Sequence, residues 1–374
     1  MICVKYYDVI IVGGGIAGCG LAYNLAKECP DKSVLLIEKD EIGANAAYGY
    51  RNTFKEIVKE YNLPYVKMYK GIKIGAENKI LAEINCPMYF FDYRKACKHL
   101  LDVSSAYVKK ECAVHQGSHI LTTDTSKYYF DKLVDCSGIN FFTKNSANQK
   151  RPKYYWKGIV TKTKKPKISN DYYYFYFGDQ GHLEEIYPFS NHILYGRWKY
   201  VRQKEVNILT NENYYVVQDV SFDDTKICQI PCSPAFPICE KDIICLGDSF
   251  GNANCSSASG IGSILDSSNL LANCIKTNSN FEKMWKKKYL NFYLSQLASR
   301  KSRYMRNPLL SSFVDYPKNR DILPIFNKYP EVFIDLLKGN FKKPPMEIAR
   351  KYPMLFKFNT LLNYFLFKMN PSGV

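Results

Sequence analysis

The run YDVIIVGGGIAGCGLAYNLAKECPDKSVLLIEK, residues 7–39, restricts the fold more than any other feature of this chain. Asp8–Val12 reads as a buried strand and Ser33–Ile37 as a second. Between them Ile16–Glu28 turns Leu21, Ala22, Leu25 and Ala26 to one side of a helix. Gly13, Gly15 and Gly18, spaced G-x-G-x-x-G, join the first strand to that helix. Gly13 permits the tight turn, Gly15 lets the backbone approach a pyrophosphate, and Gly18 lets helix and strand pack closely. The first helical amides, at Ile16 and Ala17, would face the phosphates, which the helix N-terminus attracts. Glu38 ends the second strand, about 20 residues beyond the last glycine, where a carboxylate accepts hydrogen bonds from ribose hydroxyls; Lys39 follows it. That carboxylate would repel a 2′-phosphate, so the pattern predicts FAD or NAD rather than NADP.

Two later segments choose between them. FDKLVDCSGI (130–139) is a strand running into the small turn Cys136-Ser137-Gly138, and KDIICLGDSFGNAN (241–254) is a strand, Ile243–Leu246, ending at Gly247-Asp248. Small residues continue to Gly260, after which a helix carries Ile261, Ile264, Leu265, Leu271 and Ile275 on its buried side. Taken in order, the three motifs resemble the FAD-dependent group that includes p-hydroxybenzoate hydroxylase, geranylgeranyl reductases and lycopene cyclases. The resemblance implies FAD, with Asp248 bonded to the ribityl chain and residues 251–262 lying against the isoalloxazine. It implies that the helix opening at Gly260 and Ile261 stabilises charge on the reduced ring, and that Gly138 and Arg94 belong to the cofactor site. It also implies an α/β fold: a Rossmann-like FAD-binding domain with an inserted antiparallel β-sheet substrate domain and a helical C-terminal region. The expected boundaries are 1–153 and 225–276 for the two parts of the FAD domain, 154–224 for the substrate sheet and 277–374 for the helical region.

Within the group the chain is most similar to archaeal geranylgeranyl reductases, which saturate isoprenoid chains of membrane lipids. The stretch 333–358 looks like their helical tail, and 186–200 lies where they place a strand pair over flavin and substrate. The departures bear on the substrate. Cys255, Ala258 and Gly260 stand where Pro-x-x-Gly-x-Gly is usual, and Ala47-Tyr48-Gly49-Tyr50 replaces a Cys-x-Gly-Gly element. Of a Tyr-x-Trp-x-Phe-Pro element Tyr187-Pro188 persists, with Leu183 and Glu185 at the two other aromatic places. In DYYYFYFGDQGHLEEIYPF (171–189), Tyr172, Tyr174 and Tyr176 alternate with Tyr173, Phe175 and Phe177, so both faces of that strand are aromatic. One face would wall a cavity for a large apolar substrate. Saturating an alkene needs a hydride, expected from reduced flavin N5, and a proton, for which His182, Glu184, Glu185 and Tyr187 are candidate donors. Cys255, beside the expected flavin edge, would pack there or touch the substrate. Glu185, Tyr187 and Cys255 are the candidate catalytic residues.

Composition narrows the partners. A net charge of +17 suits an acidic ferredoxin or an anionic membrane surface, and no motif beyond charge supports nucleic acid. Without a second G-x-G-x-x-G, electrons are expected from transiently docked NAD(P)H or from ferredoxin. The 13 cysteines include no Cys-x-x-Cys pair, so no metal is expected, and free thiols suit a reducing, cytoplasmic setting. No apolar run reaches the roughly 20 residues of a membrane span, and the apolar segment 354–369, with Lys357 and Lys368, is a candidate cavity cap or interfacial helix. The leading expectation is an FAD-dependent reductase of an isoprenoid lipid, peripheral to the membrane. A hydroxylase or a lycopene-cyclase-like isomerase on the same scaffold are the alternatives.

Overall fold

The computed structural model describes residues 5–44, 47–76, 79–146, 150–164, 167–177, 182–202, 224–254, 260–290 and 293–294. The strand Lys5–Val12 runs parallel between Val34–Glu38 and Lys127–Asp135. Tyr107–Lys110 extends the sheet on one side, and Ile243–Cys245 followed by Cys239–Glu240 on the other. Val9, Ile10 and Ile11, with Leu35, Leu36 and Ile37, are all buried, as a parallel sheet covered on both faces requires. The helix Ile16–Glu28 lies on this sheet and packs on Ile261–Lys276, where Asn24 Nδ2 donates to Ser268 Oγ at 2.8 Å. A small antiparallel sheet of Tyr50–Phe54, Met88–Asp92 and Tyr65–Tyr69 feeds the helix Tyr93–Asp102. Asp92 caps that helix by accepting the Lys95 N–H at 2.9 Å.

A second large sheet has seven strands, in the order Thr225–Pro231, Tyr154–Lys164, His192–Arg202, His182–Pro188, Tyr172–Phe177, Gly71–Ala76 and Lys79–Ile84. It is wider than the tract 154–224, drawing strands from both flanking intervals. The aromatic strand Tyr172–Phe177 would otherwise be an edge with a row of unpaired amides; Gly71–Ala76 pairs with it in parallel and closes that row. Register sets the two faces. Tyr173 and Phe175 share one with Glu185 and Tyr187, while Tyr174 and Tyr176 share the other with Glu184 and Ile186. The first face joins Phe90, Trp156, Leu194 and Trp198 in one apolar cluster; Tyr174, Tyr176, Ile186, Ile193 and Tyr195 form a separate one.

Of the expected helical region 277–374, Phe281–Trp285 and Lys286–Leu290 are helical, with Trp285 fully buried; 333–358 and 354–369 lie outside the described residues. Among the described residues no helix is long and apolar enough to cross a membrane.

Candidate active site

The turn after the first strand is built by removing side chains. Gly13 takes φ +113°, and a Cβ on Gly18 would stand 2.0 Å from the Gly13 carbonyl oxygen, so turn and helix meet backbone to backbone. Gly14 N–H donates to Glu38 Oε2 at 2.6 Å and Asp40 N–H to Oε1 at 2.9 Å, which fixes the carboxylate at the strand end beside the turn. Tyr93 Oη accepts the Ile16 N–H at 2.9 Å and so ties the helix Tyr93–Asp102 to the first turn of Ile16–Glu28. Arg94, the next residue, is exposed. The Arg51 guanidinium sits 5.7 Å from the Tyr93 ring centroid.

The other two motifs converge on the same helix end. Asp135, fully buried, accepts from Ser137 N–H at 2.9 Å, Thr143 N–H at 2.8 Å and Thr143 Oγ1–H at 2.7 Å, and thereby shapes the Cys136–Gly138 turn. Gly247, at φ +74°, sits so close to Ala17 that a Cβ would come within 2.8 Å of the alanine methyl. That approach sets Asp248 beside the helix N-terminus. Burial pushes the Asp248 carboxyl up to about 6, and the Arg51 charge opposes the shift. The small residues that follow are pinned by Asn252, whose Nδ2 donates to Ser263 O and Ser267 Oγ, both at 3.2 Å. A turn cleared of side chains and two carboxyls near one helix N-terminus fit the pyrophosphate, ribose and ribityl chain of FAD.

A second acid lies on the aromatic sheet. Glu185 Oε1 accepts from Tyr173 Oη–H at 2.6 Å and Oε2 from Trp198 Nε1–H at 2.9 Å, and Tyr187 lies on the same face of the strand, its ring stacked on that of Tyr173. Burial pushes the Glu185 carboxyl up; the donors of Tyr173, Tyr187 and Trp198 and the Arg51 charge pull it back. The hydroxyls of Tyr173 and Tyr187, whose rings stack at 4.8 Å, are both driven well above the usual phenol range, chiefly by burial. Tyr187 is half-buried, and its ring packs 4.8 Å from Phe90, around which Tyr50 and Phe189 also gather at 5.6 and 5.5 Å. Arg51 connects the two regions, because its charge acts on both Asp248 and Glu185.

The structure brings Gly13, Gly15, Ile16, Ala17, Gly18, Glu38, Gly247 and Asp248 together around one helix end, with Gly138 on the neighbouring turn. Lys39 is exposed and pairs with Asp40 at 3.7 Å. Gly260 and Ile261 open their helix as expected. Glu185 and Tyr187 share one strand face and both meet Tyr173, while Cys255 lies outside the described residues. Three members of the site were not singled out from sequence: Tyr93, Asp135 and Trp198. Trp198 had a signal, since Gly196 and Trp198 are two apart on a strand and therefore share a face. Among the described residues no group of His, Cys, Asp and Glu could hold a metal ion.

Known proteins agree with this scaffold. The family described as FAD dependent oxidoreductase matches residues 8–53. The putative FAD-containing monooxygenase MymA of Mycobacterium tuberculosis is 25% identical over 142 residues, which is 36% of this chain and 28% of that protein's length. A geranylgeranyl bacteriochlorophyll reductase-like protein from Thermoplasma acidophilum superposes with a TM-score of 0.67 at 17% identity, covering 94% of this chain and 100% of the other. The flavin-dependent brominase Bmp2 superposes at 0.66 with 13% identity, covering 94% and 99%. At such identities the superpositions speak for the fold. The chain carries the scaffold of FAD-dependent oxidoreductases, and its cofactor is FAD.

Proposed function

We propose that this protein is an FAD-dependent reductase that adds two hydrogens across C=C bonds of an isoprenoid lipid, with Tyr187 and Glu185 supplying the proton. The observation that carries the reading is a buried carboxyl, raised by burial and hydrogen-bonded by Tyr173 and Trp198, beside the half-buried Tyr187, whose ring stacks on Tyr173. FAD, when bound, supplies the two-electron chemistry of such a saturation. The chain's own residues do the rest. Phe90, Tyr50 and Phe189 offer an apolar surface and exclude water, so an alkene carbon can lie against Tyr187. A phenol backed by a buried carboxyl is a proton donor that stays loaded at neutral pH. Arg51 holds positive charge between the cofactor acid Asp248 and the proton-donor acid Glu185. As part of the same proposal, NAD(P)H or an acidic ferredoxin supplies electrons, and the net charge of +17 favours an anionic membrane surface.

The test is anaerobic. The holoenzyme is reduced with dithionite and mixed with geranylgeraniol, and the flavin spectrum is followed together with product mass. Flavin reoxidation with mass gains of two hydrogens per step is expected. A product formed once oxygen is admitted would replace this reading with a hydroxylase, and an isomer of unchanged mass with flavin still reduced would replace it with a cyclase.

A further inference from the structure

We infer that Trp198 is a positioning residue that decides which oxygen of Glu185 carries the transferable proton, an inference that rests on the reading of Glu185 as the proton source. The two hydrogen-bond partners of the carboxyl differ in kind. Trp198 Nε1–H lies 2.9 Å from Oε2, and Tyr173 Oη lies 2.6 Å from Oε1. An indole N–H can donate but never accept, whereas a phenol hydroxyl turns and does either. A proton on Oε2 would either meet the indole N–H head on or leave that N–H bonded to a hydroxyl oxygen, a weaker acceptor than a carbonyl oxygen. A proton on Oε1 finds an acceptor once the Tyr173 hydroxyl rotates. The acid form of Glu185 therefore keeps its proton on Oε1, on the side of Tyr173.

The indole is held in place by what the strands leave out. Trp198 faces Gly158 directly across the sheet, and a Cβ there would stand 2.5 Å from the indole Cε3. Gly196 precedes Trp198 on its own strand and pairs with Glu185; a Cβ there would stand 2.9 Å from Nε1 and 3.7 Å from Glu185 Oε2. Glycine weakens a strand interior, so two glycines against one ring mark a close approach that the sequence has made room for. They let the ring lie close to the sheet with its N–H on the carboxylate. Trp198 is buried and cannot trade this contact for water.

Proton transfer then has one direction. The Tyr187 O–H bond breaks as a C–H bond forms on the substrate carbon. Tyr187 recovers a proton from Tyr173, whose ring stacks on it at 4.8 Å, and Tyr173 takes the proton of Glu185 Oε1. The carboxylate left behind keeps its Trp198 bond and is reprotonated from solvent. One proton leaves the carboxyl and one arrives on carbon; the other hydrogen, with its electron pair, would be supplied by reduced FAD when bound.

Infrared titration of the holoenzyme tests this without turnover. The carboxylic C=O band of Glu185, assigned by its absence in E185Q, is followed against pH. Removing a donor from the charged form raises a carboxyl pKa. W198F is therefore expected to move the midpoint upward by about one pH unit, the worth of one hydrogen bond to a charged group. G196A, which keeps the indole but crowds its N–H off the carboxylate, is expected to move it the same way. Flavin absorbance per protein checks that both variants retain the fold. A wild-type midpoint in both would overturn the role of Trp198. E185Q that turns over geranylgeraniol at the wild-type rate would overturn the proton-source reading instead, whatever the titration gives.

Discussion

The nucleotide turn and the acid on the aromatic sheet solve opposite problems. At residues 13–18 the backbone makes the contacts, and side chains are absent because nothing larger than hydrogen fits between Gly18 and the Gly13 carbonyl. Around Glu185 side chains make the contacts, and glycine appears where an indole must lie close to the sheet. The first region should respond to substitution sterically and nearly all at once. The second should respond in steps, because each hydrogen bond to the carboxyl contributes separately and can be removed by itself.

The largest effect is expected at the turn. Gly18→Ala puts a methyl 2.0 Å from a backbone oxygen that has no rotamer to escape through. The helix must shift away from the strand, at a cost of about 4 kcal/mol or more. The purified protein should carry no flavin, seen in the ratio of 450 nm to 280 nm absorbance on the order of zero, and should melt well below the parent. A G18A protein that keeps its flavin would show that the turn tolerates displacement, and the contrast between the regions would weaken.

Next in size is Glu185→Gln, which keeps shape and loses the proton. Turnover of a reducible isoprenoid should fall by about 10²- to 10⁴-fold, the usual worth of a positioned acid. Flavin content should stay at the wild-type level, because no described residue of the nucleotide turn bonds Glu185. This pairing of lost rate with retained flavin separates the two regions; loss of flavin in E185Q would merge them.

The two regions also differed in how far sequence could reach them. Strand, glycine spacing, helix and Glu38 fall within one short run, so local periodicity was enough to place them, and the helix Ile16–Glu28 has the residue range expected. Alternation in 172–177 gave the two faces of the aromatic strand. What periodicity could not give was register. That Trp198 meets Glu185 follows from the pairing of Gly196 with Glu185 across two strands. That Gly71–Ala76 joins the sheet follows from a parallel pairing with residues about a hundred positions away, for which no local pattern exists. Tyr93 was passed over for a similar reason, since its partner, Ile16 N–H, is set by tertiary approach; Asp135 bonds Ser137 and Thr143 within its own turn, which alternation along a strand does not reveal.

Asp248→Asn is expected to act oppositely on stability and on cofactor binding. The carboxyl rises from 3.8 to about 6 in the fold. A raised group contributes stability that is fully present below pH 3.8 and is lost as pH climbs through about 6. Above both values the ionised carboxyl costs about 3 kcal/mol, since each tenfold change in proton affinity is worth about 1.4 kcal/mol. FAD-free D248N should therefore be more stable than the parent at pH 8 by up to that amount, with the difference shrinking towards pH 4, as read by urea denaturation. Its affinity for FAD should fall in the same buffer. An acid that weakens the fold and strengthens binding is held there for binding. Equal stability of the two proteins at pH 8 would remove that argument.

The smallest effects concern neighbours on opposite faces of one strand. Tyr173 donates to Glu185, whereas the Tyr174 hydroxyl, on the far face, accepts the Ser169 N–H at 3.1 Å. Tyr173→Phe should slow turnover by about tenfold, equivalent to about 1.4 kcal/mol, because Tyr187 must then recover its proton from Glu185 directly. It should also raise the Glu185 carboxyl further by deleting a donor to its charged form. Tyr174→Phe removes an equally ordered phenol and should cost under about 1 kcal/mol of stability with no change in rate. The pair has a common backbone, a common residue type and adjacent positions, so a difference in rate between them can come only from the face. If both variants slow the reaction alike, strand integrity rather than the Glu185 network governs turnover, and the aromatic sheet is a scaffold like the turn.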